Sequence, residues 1–113
     1  RVHQNYKNKV LKANDIATMS TGKRLGHPVR SIKNPYTKEY FKLEYSDISD
    51  EELEAYGRGA LYRAAVEGDE KTGCFLAGQI AGMVNKEQTA KEIIEEIFTQ
   101  AEDVLKGATK WVK

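Results

Sequence analysis

The sequence has no surplus of charge, almost no cysteine and no long apolar run, and each lack removes a class of explanation. Lysine and arginine number 18 against 17 aspartates and glutamates, a net charge of +1 over 113 residues. Nucleic-acid binding calls for a basic excess that is missing here, so charge names no partner. The single cysteine, Cys74, excludes an intrachain disulfide and gives no metal-ligand pair, which suits a reducing cytoplasm. Its sequence neighbours Gly73 and Phe75 bring no base, so Cys74 reads as a small buried hydrophobe rather than a nucleophile. No apolar run approaches the roughly 20 residues a membrane span needs, and no basic-then-apolar leader opens the chain. The expectation is a soluble, cytoplasmic protein with neither membrane nor nucleic-acid partner. The first residue is Arg1 and not methionine, which fits a processed chain, an excised domain or a fragment. The length is that of one domain with a modest core.

What is present centres on residues 73–84, GCFLAGQIAGMV, twelve positions without a charge. So little bulk and charge predicts burial. Gly73, Gly78 and Gly82 permit left-handed backbone and the close approach of another backbone or a ligand. Gln79 is the one strongly polar side chain of the stretch. If buried it must be hydrogen-bonded, because an unpaired buried amide costs about 1–3 kcal/mol. Two readings stay open: a core segment whose glycines allow tight packing, and a loop that faces a bound molecule.

Around this stretch the spacing predicts a short amphipathic helix over 4–13, with Tyr6, Val10 and Ala13 on one stripe and lysines facing away. A hairpin follows, its strands 16–21 and 27–32 flanking a turn bracketed by Gly22 and Gly26. His27 and Arg30 invite a functional reading, although a Gly-His-Pro turn before an arginine is also how an edge strand stays soluble. Asn34-Pro35 opens a new unit, and Tyr36, Tyr40 and Leu43 at i, i+4, i+7 predict a helix over 36–45. Its interspersed carboxylates argue against a base-stacking surface. Ser49 to Glu52 is a capping box that starts a helix running to Gly68, with Gly57 and Gly59 opposing it inside. Glu51, Glu52 and Glu54 point in different directions on that helix and read as a solvated face near the positive end of its dipole.

Asn85 looks like the cap of the last helix. From Ala90 the periodicity is the clearest in the chain: Ile93, Ile94, Ile97, Phe98, Val104, Leu105, Trp111 and Val112 share one stripe backed by Glu95, Glu96, Glu102 and Asp103. A sustained apolar face with no matching element in the sequence implies a partner outside it.

Three runs then carry a resemblance: Gly26 to Asn34 (GHPVRSIKN), Ala77 to Val84 (AGQIAGMV) and Lys86 to Ile94 (KEQTAKEII), joined by His3 to Lys7 and the helix to Ala13. In the right order and over nearly the whole chain, they resemble the carboxyl-terminal third of the FMN-dependent enoyl-acyl-carrier-protein reductase II. Nitronate monooxygenases of the 2-nitropropane dioxygenase type share a looser version, and the 30–34 and 86–94 runs favour the reductase. The expected fold class is accordingly α+β, mostly helical with a short β-hairpin, residues 1–113 forming one carboxyl-terminal segment of a (β/α)8 TIM-barrel flavoenzyme.

The resemblance implies FMN at the carboxyl-terminal mouth of the barrel strands and hydride passing from NAD(P)H through the flavin to the β-carbon of an enoyl thioester. The family's phosphate-binding glycines and its catalytic histidine lie upstream of the matched region, and neither His3 nor His27 sits in that histidine's context. No catalytic or metal-binding residue is therefore assigned. No cofactor is expected on this segment alone, which is expected to be inactive. Cys74, Leu76, Gly78 and Gln79 are expected to border the acyl-substrate pocket. The implied partners are the upstream barrel portion of the same enzyme, an enoyl substrate carried on acyl-carrier protein, and a second copy in a homodimer. A nitronate monooxygenase segment and a non-catalytic α+β interaction module are the competing readings.

Overall fold

The computed structural model describes residues 1–112. Helix α1 (Gln4–Leu11) is followed by strands β1 (Thr18–Thr21) and β2 (Val29–Ile32), helices α2 (Pro35–Glu44), α3 (Asp50–Gly57) and α4 (Ala60–Tyr62), and the long helix α5 (Ala90–Ala108). The fold is mostly helical with one antiparallel hairpin, Thr18 opposite Ile32 and Thr21 opposite Val29, as expected. Gly22 and Gly26, at φ 81° and 74°, turn the connection. Gly22 admits no side chain, since a Cβ would stand 2.6 Å from the His27 carbonyl oxygen.

A third extended segment lies against β2. Ile32 N–H donates to Phe75 O at 2.9 Å and Ala77 N–H to Arg30 O at 3.2 Å, around an antiparallel bridge between Ser31 and Leu76. Residues 74 and 75 therefore serve two different cores, as strand alternation dictates. Cys74 joins Tyr36, Tyr40, Leu53 and Ala60, whereas Phe75 joins Ile32 and Ala64 with Tyr6 and Val10 of α1 packed alongside.

Four expectations need correction. The helix expected from Ser49 to Gly68 breaks at Arg58, because Gly59 adopts φ +75°; it resumes as α4, widens into a π turn over Arg63–Glu67, and ends at a left-handed Gly68. The cap of α5 is Thr89 and not Asn85: its hydroxyl accepts from Glu92 N–H while the Glu92 carboxylate accepts from Thr89 N–H at 2.7 Å. Burial of the 73–84 stretch stops halfway, with Gly73, Cys74 and Phe75 inside and all but Ala77 and Ala81 exposed from Leu76 on. None of its three glycines has positive φ. Gly73 and Gly82 instead allow close approach: a Cβ would lie 2.8 Å from Ala64 Cα at the first and 2.8 Å from the Asn14 carbonyl carbon at the second. Gly78 has open space.

The elements are tied by a few polar side chains. Asn34 caps α2 by accepting from Thr37 N–H at 2.9 Å, and its amide donates to Glu70 O (3.1 Å) and Gly73 O (2.7 Å). Buried Glu44 accepts from the N–H groups of Gly22 and Arg24, fixing the hairpin tip on α2. Arg24 in turn donates to Asp50 Oδ1, Ser46 O and Ile48 O and closes the link from α2 to α3.

Candidate functional site

Between the hairpin tip and helices α2 to α4 lies a cleft of about 190 Å³. Thr21, Gly22, His27 and Val29 form one wall; Tyr36, Tyr40, Gly57, Ala60 and Leu61 form the other; Cys74 and Leu76 line it from the third strand. Each wall has a local cause. The Glu44 carboxylate and the Gly22 turn hold His27 and Val29 in place. Asn34 and Pro35 start α2 so that Tyr36 and Tyr40, four residues apart, share its inner face. Tyr56 backs them: its ring stacks on Tyr36 at 5.4 Å between centroids, with the planes 1° apart.

The cleft is chemically quiet. Burial pushes the Cys74 thiol upward, with the neighbouring Ser31 hydroxyl pulling the other way, and burial is also the first cause raising Tyr36 and Tyr40. Its interior groups are thus neutral at physiological pH, suited to an uncharged, largely apolar guest.

Of the four residues expected at a substrate pocket, the structure brings together two. Cys74 is 6% exposed and Leu76 38%, and both line the cleft. Gly78 and Gln79 do not: they open an exposed 3-10 turn over Gln79–Met83, where the Gln79 side chain meets solvent and needs no protein partner. His27, Tyr36 and Tyr40 were not expected there. The i, i+4 tyrosine pair was the available signal, but only the distant hairpin turns it from core face into cleft wall.

Each long helix start has one first-turn N–H already taken by a side chain. Backbone N–H groups at a helix N-terminus form the usual phosphate seat, yet every helix of eight residues or more among the described residues begins under its own side-chain cap: His3, Asn34, Ser49 and Thr89 each accept from an N–H of the first turn. Among the described residues, no cluster of three or more metal-ligating side chains forms, and no helix is long and apolar enough to cross a membrane.

The fold is a mostly helical α+β body with one hairpin, and it matches a part of a larger solved enzyme, FabK. Specifically, the chain is similar to a piece of FabK, the enoyl-acyl-carrier-protein reductase II, from Thermotoga maritima: 33% sequence identity, TM-score 0.91, 99% of this chain and 35% of FabK covered. A methionine-to-alanine variant of the same enzyme matches at 31% identity and TM-score 0.78, covering 98% of this chain and 32% of that one. The chain thus spans about a third of the length of the enzyme it matches. No family model matches it, and comparison with curated proteins gives no match either.

Proposed function

We propose that this chain is the carboxyl-terminal segment of an FMN-dependent enoyl-acyl-carrier-protein reductase of fatty acid biosynthesis, and that its cleft borders the acyl end of the enoyl thioester. The observation that carries the reading is the overlap with FabK along 99% of the chain at TM-score 0.91. Within it, Leu76 supplies apolar wall, the tyrosine pair supplies rigid surface, and Cys74 stays a neutral thiol that neither attacks nor repels a thioester. Each long helix start has one N–H already capped, and holding FMN and NAD(P)H falls to the upstream barrel. This segment shapes and dries the acyl end of the site.

The test uses the FabK-length polypeptide that carries this segment. Leu76→Ala should lower kcat/KM for an enoyl thioester by about tenfold while moving the unfolding midpoint little, a loss of binding and not of fold. Gln79→Ala, at the exposed turn, reports whether the turn also faces substrate. Loss of stability with unchanged kcat/KM in the surviving folded fraction would return Leu76 to a purely structural role. Oxidation of a nitronate without any enoyl reduction would replace the reductase reading with a nitronate monooxygenase.

A further inference from the structure

We infer that the Tyr36 hydroxyl is the specificity-determining donor of the cleft, and that the cleft selects uncharged guests in which a short apolar body is joined to a carbonyl oxygen. That the carbonyl belongs to an enoyl thioester rests on the proposed function; the donor and the space in front of it rest on this chain alone.

Tyr36 is 6% exposed and Tyr40 8%. A phenol buried to that depth ordinarily bonds through its hydroxyl, as the half-buried Tyr6 does in donating to Leu76 O at 2.6 Å. Among the described residues the Tyr36 hydroxyl has no such partner. Only burial and neighbouring charges act on it, and burial, the first of these, keeps it protonated. A buried donor left unpaired is unfavourable until something accepts from it.

Gly57 shows where the hydroxyl points. It lines the same cleft, and a Cβ there would stand 3.6 Å from the Tyr36 hydroxyl oxygen and 3.5 Å from Tyr40 Cε2. Glycine thus leaves a methyl-sized space in front of the donor. The backbone does not require it, because Gly57 ends α3 without the positive φ of Gly22, Gly26, Gly59 and Gly68.

The ring that carries the hydroxyl is held in place. It stacks on Tyr56 and tilts against Tyr40 at 6.0 Å between centroids, and Asn34 and Pro35 fix the start of α2 directly before it. A donor fixed before binding loses little freedom on meeting its acceptor. Val29, Leu61 and Leu76 leave apolar surface exposed in the lining of the same cleft. A space of about 190 Å³ that sets an unpaired donor against apolar walls fits a carbonyl compound of a few carbons, and its neutral interior disfavours a charged one.

The experiment titrates the 113-residue chain with two uncharged probes, S-ethyl butanethioate and ethyl butyl sulfide, in which a methylene replaces the carbonyl, and follows the amide resonances of Cys74 and Leu76 by NMR. The thioester should shift both amides saturably. The ratio of its affinity to that of the sulfide should fall about fivefold in Tyr36→Phe, the worth of one neutral hydrogen bond, and hold in Tyr56→Phe, the same change on the stacked ring. Gly57→Ala should weaken thioester binding several-fold and leave the thermal midpoint no lower, since a helix favours alanine and the added Cβ meets only ordinary contacts. A ratio that holds in Tyr36→Phe, including one that falls instead in Tyr40→Phe or Thr21→Val, would overturn the assignment. So would Cys74 and Leu76 amides that the thioester does not move, or an unchanged thioester affinity in Gly57→Ala. Tyr36→Phe should also keep the thermal midpoint of the parent; a fall of several degrees would show that the hydroxyl is already bonded within the chain and overturn the inference too. None of these readouts needs flavin or the upstream barrel. Failure here strikes the donor and leaves the reductase reading standing, whereas a FabK-length polypeptide that reduces no enoyl thioester strikes that reading and leaves the donor.

Discussion

The Asn34 side chain makes three hydrogen bonds that tie the start of α2 to the 70–73 loop. Its carbonyl oxygen caps α2 while its amide reaches two backbone carbonyls of the 70–73 loop, all at a site 5% exposed. Asn34→Ala should cost about 2–4 kcal/mol, a lost cap plus a buried carbonyl left unpaired. Asn34→Asp should be no better, because it keeps the acceptor but turns a negative oxygen toward those carbonyls. Urea denaturation of both variants measures this, and an aspartate variant as stable as the parent would show that the loop contacts contribute nothing. That Asn34 opens a new unit with Pro35 was legible in the sequence. Its amide contacts were not, since Glu70 and Gly73 lie 36 and 39 residues away and nothing local encodes a partner at that range.

Titration belongs to the same scale. Tyr6, Tyr36, Tyr40, Tyr56 and Cys74 all titrate above their ordinary values, 10.0 for the phenols and 9.0 for the thiol, with burial the first cause in each. A raised folded-state value means that folding favours the protonated form. The stabilisation is complete below the ordinary values and is lost as pH climbs through the raised ones. The thermal midpoint should therefore hold steady up to about pH 9 and fall beyond it, with tyrosinate absorbance rising in step with unfolding. A midpoint that is flat well past the phenol range would mean that these rings are solvated.

At the scale of elements, the glycine-rich stretch divides where its burial divides. Gly73→Ala would put a Cβ 2.5 Å from the Asp69 carbonyl oxygen and 2.8 Å from the backbone of Ala64, so one loop or the helical turn must move. Gly78 sits at φ −75° with nothing within 4 Å of a Cβ. The expected outcome is a loss of about 2 kcal/mol or more for Gly73→Ala and almost none for Gly78→Ala, read from the denaturation midpoint. Similar effects at both would show that position 73 is not a backbone contact.

The same stretch shows what periodicity conveys. Helix α5 was visible because its apolar residues recur every three or four positions over 19 residues. The extended segment at 74–77 was not, because it is held by a single bridge and is too short for an alternation of apolar and polar residues to show. The break at Gly59 was hinted at by two helix-disfavouring glycines, but apolar spacing on both sides continued across it and suggested one helix. Of the four residues expected at a substrate pocket, Cys74 and Leu76 stand together in the cleft. The expected burial of the uncharged run holds as far as Phe75 and fails beyond it, so that Gly78 and Gln79 lie on the surface.

For the whole molecule, the capped helix starts lead to the most direct prediction. An FMN phosphate carries up to two negative charges and needs several converging N–H or cationic donors in a preformed cradle. Here one first-turn N–H of each of α1, α2, α3 and α5 already donates to His3, Asn34, Ser49 and Thr89 respectively. Displacing such a cap costs about 1 kcal/mol before any ligand contact is made. The 113-residue chain mixed with FMN and passed through a desalting column should emerge colourless, and should not oxidise NADH or NADPH in its presence. The FabK-length polypeptide carrying it should retain the flavin, because the cradle then comes from the barrel. Tight, stoichiometric yellow flavin on the short chain would place a phosphate site within these 113 residues and would mean that one of the capped helix starts opens to bind it; Thr89→Ala and Ser49→Ala, which free first-turn N–H groups, would identify which.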